Sequence, residues 1–129
     1  MEKRRSTAAA AVAAVTLLSG GALACTPAID GTRAESKSYV VAYRASPEVG
    51  KHFAVEIAAC AKPGAAAPTS LKVDAQMPEH RHGMNYRTKV VRLGTGRFHS
   101  EGWLFHMPGR WEFVFDLGSE HLTHSVRIE

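Results

Sequence analysis

After its first two dozen residues, the chain alternates apolar and polar positions with a period of two, the pattern of strands with one face buried. Between Ser38 and Arg44 the alternation puts Tyr39, Val41 and Tyr43 on one side. Between His52 and Cys60 it puts Phe53, Val55, Ile57 and Ala59 on one face and His52 and Glu56 on the other. Leu71, Val73, Ala75 and Met77 repeat it, with Lys72, Asp74 and Gln76 outward. Asn85 to Leu93 reads as a short strand, and Gly94-Thr95-Gly96 as the hairpin turn that returns the chain through Arg97 to His106. Trp111, Phe113 and Phe115 alternate with Glu112, Val114 and Asp116, and Leu122 to Ile128 forms a last strand.

The intervening stretches have turn chemistry. Ser46-Pro47-Glu48-Val49-Gly50 and Gly118-Ser119 are turns, and His106-Met107-Pro108-Gly109 carries Pro-Gly in the order of a tight type II turn. Ala61 to Ser70, with Pro63-Gly64 and Pro68, has the composition of a crossover between sheets, while the polar, aperiodic segment 25–37 reads as a loop or tether. With no amphipathic helix in this region, the pattern predicts an all-β, immunoglobulin-like sandwich of about seven antiparallel strands over residues 38–129.

The beginning of the chain departs from this pattern. Lys3, Arg4 and Arg5 precede an apolar run from Ala8 to Leu18, and Ala22-Leu23-Ala24 follows, the order of regions in a secretory signal peptide. The run is too short and too rich in alanine for a membrane span of about 20 residues. Removing residues 1–24 from the 129 leaves 105, enough for one domain with its own core, and lowers the formal charge from +4 to +2. So small a surplus, without a basic stripe, gives no footprint for nucleic acid. Two cysteines remain, Cys25 and Cys60. An even count in an exported chain favours a disulfide, placing the protein in the periplasm or outside the cell. The competing reading is a lipid anchor on Cys25.

Candidate chemistry is concentrated in Met77-Pro78-Glu79-His80-Arg81-His82-Gly83-Met84 and in His106-Met107-Pro108-Gly109. His80 and His82, two apart in an extended segment, stand about 6–7 Å apart on one side. Met84 continues that side if the extension persists, and Met77 either closes the core or reaches from its edge as a ligand. Imidazole suits several transition metals, whereas thioether selects copper, above all Cu(I). In an oxidising compartment a thioether keeps its ligand character where a thiol is lost to disulfides. Taken singly, each residue has a plainer role, methionine as a plug at the end of a core and histidine as a solvated loop residue. His52, His99, His121 and His124 are scattered along strands and read as surface residues outside the site. Enzyme signatures are missing: there is no Gly-x-Ser-x-Gly elbow, no H-E-x-x-H helix, no phosphate loop and no C-x-x-C.

The run Val73 to Met84 followed by Phe105-His106-Met107-Pro108-Gly109-Arg110-Trp111-Glu112 resembles the YtkA-like family, small exported or lipid-anchored bacterial domains related in pattern to the FixH group. The likeness covers about residues 70–117 and rests on a paired signature, M-P-x-H-x-H-G-M and M-P-G-x-W. It implies an immunoglobulin-like sandwich and copper handling, in some members delivery to cuproenzymes or respiratory oxidases. The matching positions are Met77, His80, His82, Met84, His106 and Met107. The membrane helix of FixH-like members has no counterpart here. The expectation is a non-enzymatic copper carrier, chaperone or scavenger, with Trp103 and Trp111 shielding the metal. The alternative is a metal-free exported interaction module of an envelope assembly.

Overall fold

The computed structural model describes residues 25–129; the predicted signal peptide lies outside them. Nine strands follow one another: β1 (Thr32–Glu35), β2 (Tyr39–Arg44), β3 (His52–Ala61), β4 (Lys72–Met77), β5 (His82–Gly83), β6 (Lys89–Gly94), β7 (Arg97–Leu104), β8 (Gly109–Leu117) and β9 (Glu120–Ile128). They form a five-stranded sheet in the order β1-β2-β3-β7-β6 and a four-stranded sheet in the order β5-β4-β8-β9, all pairings being antiparallel. The all-β sandwich is the expected one, with nine strands instead of about seven. No helix among the described residues is long and apolar enough to cross a membrane.

The inward positions are those the alternation marks. β4 alternates strictly between exposed and buried residues, with Val73, Ala75 and Met77 inward. They meet Val41, Tyr43, Val55 and Ile57 of the opposite sheet, together with Trp111, Phe113 and Phe115. Phe113 lies within 4.7–5.6 Å, ring centre to ring centre, of Tyr43, Trp103 and Phe105. Aromatic pairs at such distances add to the burial of apolar area. The stretch between β3 and β4 carries the chain from one sheet to the other, as its Pro and Gly content predicts.

Two elements differ from the sequence reading. The segment expected to be a loop or tether contains β1, which pairs with β2 from Thr32↔Tyr43 to Glu35↔Val40. Its residues are mostly exposed, so main-chain pairing with a sheet edge makes the strand and side-chain alternation does not announce it. Ahead of it, Ile29 packs on Ala42 and Ala58, covering part of the outer face of the five-stranded sheet. Cys25 is bonded to Cys60, which fastens this segment to the end of β3 across a separation of 35 residues. A sulfur held in that bridge is not available for a lipid thioether, and the bridge is compatible with an oxidising, exported compartment. The second new element is β5, a two-residue strand that pairs with the end of β4.

Candidate metal centre at one end of the sandwich

Met77 is the last residue of β4, and the chain reverses immediately after it. The Met77 carbonyl accepts a hydrogen bond from the His80 amide at 3.0 Å, closing a β-turn with Pro78 at its second position, where the fixed φ of proline fits. Arg81 follows with φ 55°, in the left-handed region that a non-glycine residue seldom enters. These two steps bring His82 back opposite Met77. Pro78 therefore does not send both histidines off the sheet. His80 stands on the turn, while His82 rejoins the ladder. Directly paired residues share a face, so His82 stands on the inner face beside Met77.

The second segment belongs to the crossover from β7 to β8, at the same end of the sandwich. Trp111 fixes it: the indole lies parallel to Phe105, with ring centres 4.4 Å apart, and donates its Nε1–H to the Met107 carbonyl at 3.0 Å. Gly109 has φ 132°, and a Cβ there would come within 2.7 Å of the Met77 methyl carbon. The backbone conformation favours glycine here, and a side chain at 109 would also oblige the Met77 methyl to shift.

The two segments meet. The His82 and His106 rings are 5.2 Å apart, and the His80 ring lies 5.7 Å from His82 on the turn. Trp111 walls the group, 6.1 Å from His82 and 5.5 Å from His106, edge-on to both. Trp103 is not in this wall. It is buried against Phe53 and Phe113 and donates its indole N–H to Ser100.

The hydrogen bonds decide which ring nitrogens are free. His82 Nδ1 faces the Gly83 carbonyl at 3.1 Å; a carbonyl only accepts, so Nδ1 carries the proton and Nε2 keeps a lone pair. This is how ligating imidazoles are commonly oriented. His106 Nδ1 is buried and has no hydrogen-bond partner, a condition that native structures seldom leave without a cause. Imidazoles sharing one metal at about 2.0–2.1 Å have ring centres roughly 5–6 Å apart, a spacing that both pairs here match.

The methionines occupy different settings. Met77 is fully buried, and Met107 is half-buried against the core beside His106. Met84 also packs on the core but lines an open hollow with Leu71, Val73, Tyr86 and Val90, along the part of β4 that β5 leaves unpaired. Among the described residues, no group of three or more His, Cys, Asp and Glu side chains could hold a metal ion. A metal bound here therefore needs methionine sulfur to complete its shell.

One feature had no pattern to announce it in the sequence. Arg110 donates from Nε to Glu79 Oε1 at 2.8 Å and from Nη1 to Ser125 Oγ at 3.1 Å, tying the tip of the first turn to β8 and β9. The Arg110 hydrogen bond and charge, helped by Arg127, hold the Glu79 carboxyl below the usual carboxylate range. The only hint was that each segment carries a residue of opposite charge. Comparison of the chain with protein-family models, with curated proteins and with solved structures finds no match.

Proposed function

We propose that this protein binds copper as cargo, as a carrier, chaperone or scavenger in an exported compartment, and catalyses no reaction. The observation that carries the reading is the meeting of His82 and His106 from segments more than twenty residues apart, each with an unengaged nitrogen, beside Trp111. His82 through Nε2 and His106 through Nδ1 are the imidazole ligands, and His80 stands on the turn beside His82. Met77 and Met107, next to the two histidines in pairing or in sequence, supply thioether, which favours Cu(I). Met84 belongs to the neighbouring hollow. The paired Met-Pro segments, together with an all-β sandwich, also support membership of the YtkA-like family, and with it a cuproenzyme or respiratory oxidase as acceptor.

Titration of the full chain with Cu(I) against a chromophoric competitor tests this. The expected result is one tightly held equivalent that is lost in the His82→Ala, His106→Ala double variant; equal affinity in both proteins refutes the site. A metal-free interaction module is the second reading. It is favoured by Val91 and Leu93, which are 56% and 57% exposed on the edge strand β6. A thermal midpoint unmoved by copper supports it, because a ligand specific for the native state raises that midpoint.

A further inference from the structure

The edges of the two sheets differ in what they leave open. On the free part of β4 the Val73 carbonyl accepts from Thr88 Oγ1 and the Ala75 amide donates to Asp74 Oδ1, both at 2.8 Å, so side chains of the same chain cap that edge. β5 is two residues long, and among the described residues β1 and β9 carry no exposed large apolar side chain. β6 ends the five-stranded sheet and pairs with β7 alone. One side of its six-residue main chain has no neighbouring strand, and Val91 and Leu93 on it are more than half exposed. Native proteins usually blunt such an edge, because a row of open N–H and C=O groups pairs readily with another extended chain.

The hairpin that carries this edge is also basic. Residues 87–97 hold Arg87, Lys89, Arg92 and Arg97 and no carboxylate, so the whole +2 surplus of residues 25–129 lies here and the remainder is net acidic. Among the described residues none of these four side chains is in an ion pair. Glu101, opposite Lys89 in the register, and Glu56 are both bonded to His99. Arg97 Nε is buried without a hydrogen-bond partner. Complementary charge across an interface selects the partner's sign and speeds the encounter, and added salt weakens the effect.

We infer that β6 is a docking strand for an acidic, extended segment of a partner polypeptide, which joins the five-stranded sheet as its sixth strand. Main-chain pairing along β6 supplies the attachment, and side chains supply the selection, as is general when a peptide adds to a sheet edge. Apolar side chains of the incoming strand cover Val91 and Leu93, while its carboxylates meet Lys89 and Arg92. A second copy of this chain suits the edge less well, since it would bring a second set of the same cations against the first. The docking role needs no metal and holds whether or not the end of the sandwich takes copper.

The test titrates the full chain, without copper, into fluorescently labelled synthetic peptides and follows their anisotropy. The probes are a short peptide of alternating valine and glutamate, its counterpart of alternating valine and lysine, and a fully N-methylated copy of the first, which has no amide N–H to donate. The glutamate peptide is expected to bind, several-fold more weakly at high salt, and the other two to bind at least several-fold more weakly than it does. Val91→Lys should weaken the glutamate peptide several-fold. The Lys89→Glu, Arg92→Glu double variant should reverse the preference and take the lysine peptide, a gain that a misfolded chain would not show. Equal binding of the glutamate and lysine peptides overturns the selection by charge, and undiminished binding of the N-methylated copy overturns strand addition. Failure of the glutamate peptide to bind overturns the docking role. A dimer of the chain that is lost in Val91→Lys, with no peptide bound, assigns the edge to a second copy and overturns the acidic partner.

Discussion

Histidines occur in two settings in this protein, and the contrast between them singles out the candidate site. On the sheet faces they are tied to neighbouring side chains. His99 is held between Glu56 and Glu101, His121 pairs with Asp116, and His124 Nδ1 bonds the Tyr43 hydroxyl at 2.6 Å, joining the two sheets through the core. At the end of the sandwich, His82 keeps a free Nε2 and His106 a buried Nδ1 without a partner. A metal needs a lone pair, and only the second group offers lone pairs close together. Number of histidines alone does not separate the two sets; the 5.2 Å approach of the His82 and His106 rings does.

The largest expected effect breaks the contrast outright. Replacing His82 and His106 by alanine should lower Cu(I) affinity by more than the roughly 10–100-fold that outer-sphere changes cause, while His99→Ala and His121→Ala leave it unchanged. Competitive titration of all four substitutions reads this directly, and a comparable loss from His99→Ala would erase the distinction.

Gly109→Ala comes next. Its methyl would meet the Met77 terminal carbon, and its backbone would be held at a φ that alanine resists. We expect a loss of about 1–3 kcal/mol in denaturant unfolding and a weaker site, since the strained φ and a displaced Met77 methyl both disturb this end of the sandwich. Met77→Leu separates the two uses of one side chain. Leucine keeps the volume, so stability should change by less than about 1.5 kcal/mol while affinity falls with the sulfur. Full affinity in this variant would reduce Met77 to a plug for the core. Met84→Leu should leave affinity unchanged.

The smallest effect concerns the engaged set. Hydrogen bonds that the His99 ring donates to Glu101 and Glu56 raise its pKa above its ordinary 6.5. With the folded value above the unfolded one, the stabilisation is fully present below that ordinary value and is lost as pH rises through the raised one. Titration by NMR should show His99 gaining its proton at higher pH than a free histidine, and Glu101→Gln should bring it down.

Much of the sandwich was legible because its inner strands alternate strictly. Phe53, Val55, Met77, Trp111 and Phe115 could be placed inward from the period of two alone, and the crossover of 61–70 from its prolines and glycine. Thr32–Glu35 carried no such signal, because an edge strand made by main-chain pairing needs no apolar face. The site was legible as a local density of ligands at Met77–Met84, but its assembly was not. His82 faces inward because a four-residue reversal, completed by Arg81 in the left-handed region, sets the register of β5. That His106 lies at the same end depends on which sheet each strand joins, and periodicity within a strand is silent about this. The same holds for the Glu79–Arg110 tie, which links residues 31 apart in sequence.

The central claim is a single metal held jointly by imidazole from both segments and by methionine sulfur. X-ray absorption at the copper edge of the Cu(I)-loaded full chain tests it most directly. The account predicts a first shell containing both nitrogen and sulfur scatterers, with the nitrogen contribution reduced in His106→Ala. A shell of nitrogen and oxygen alone, or one unchanged by His106→Ala, would contradict it.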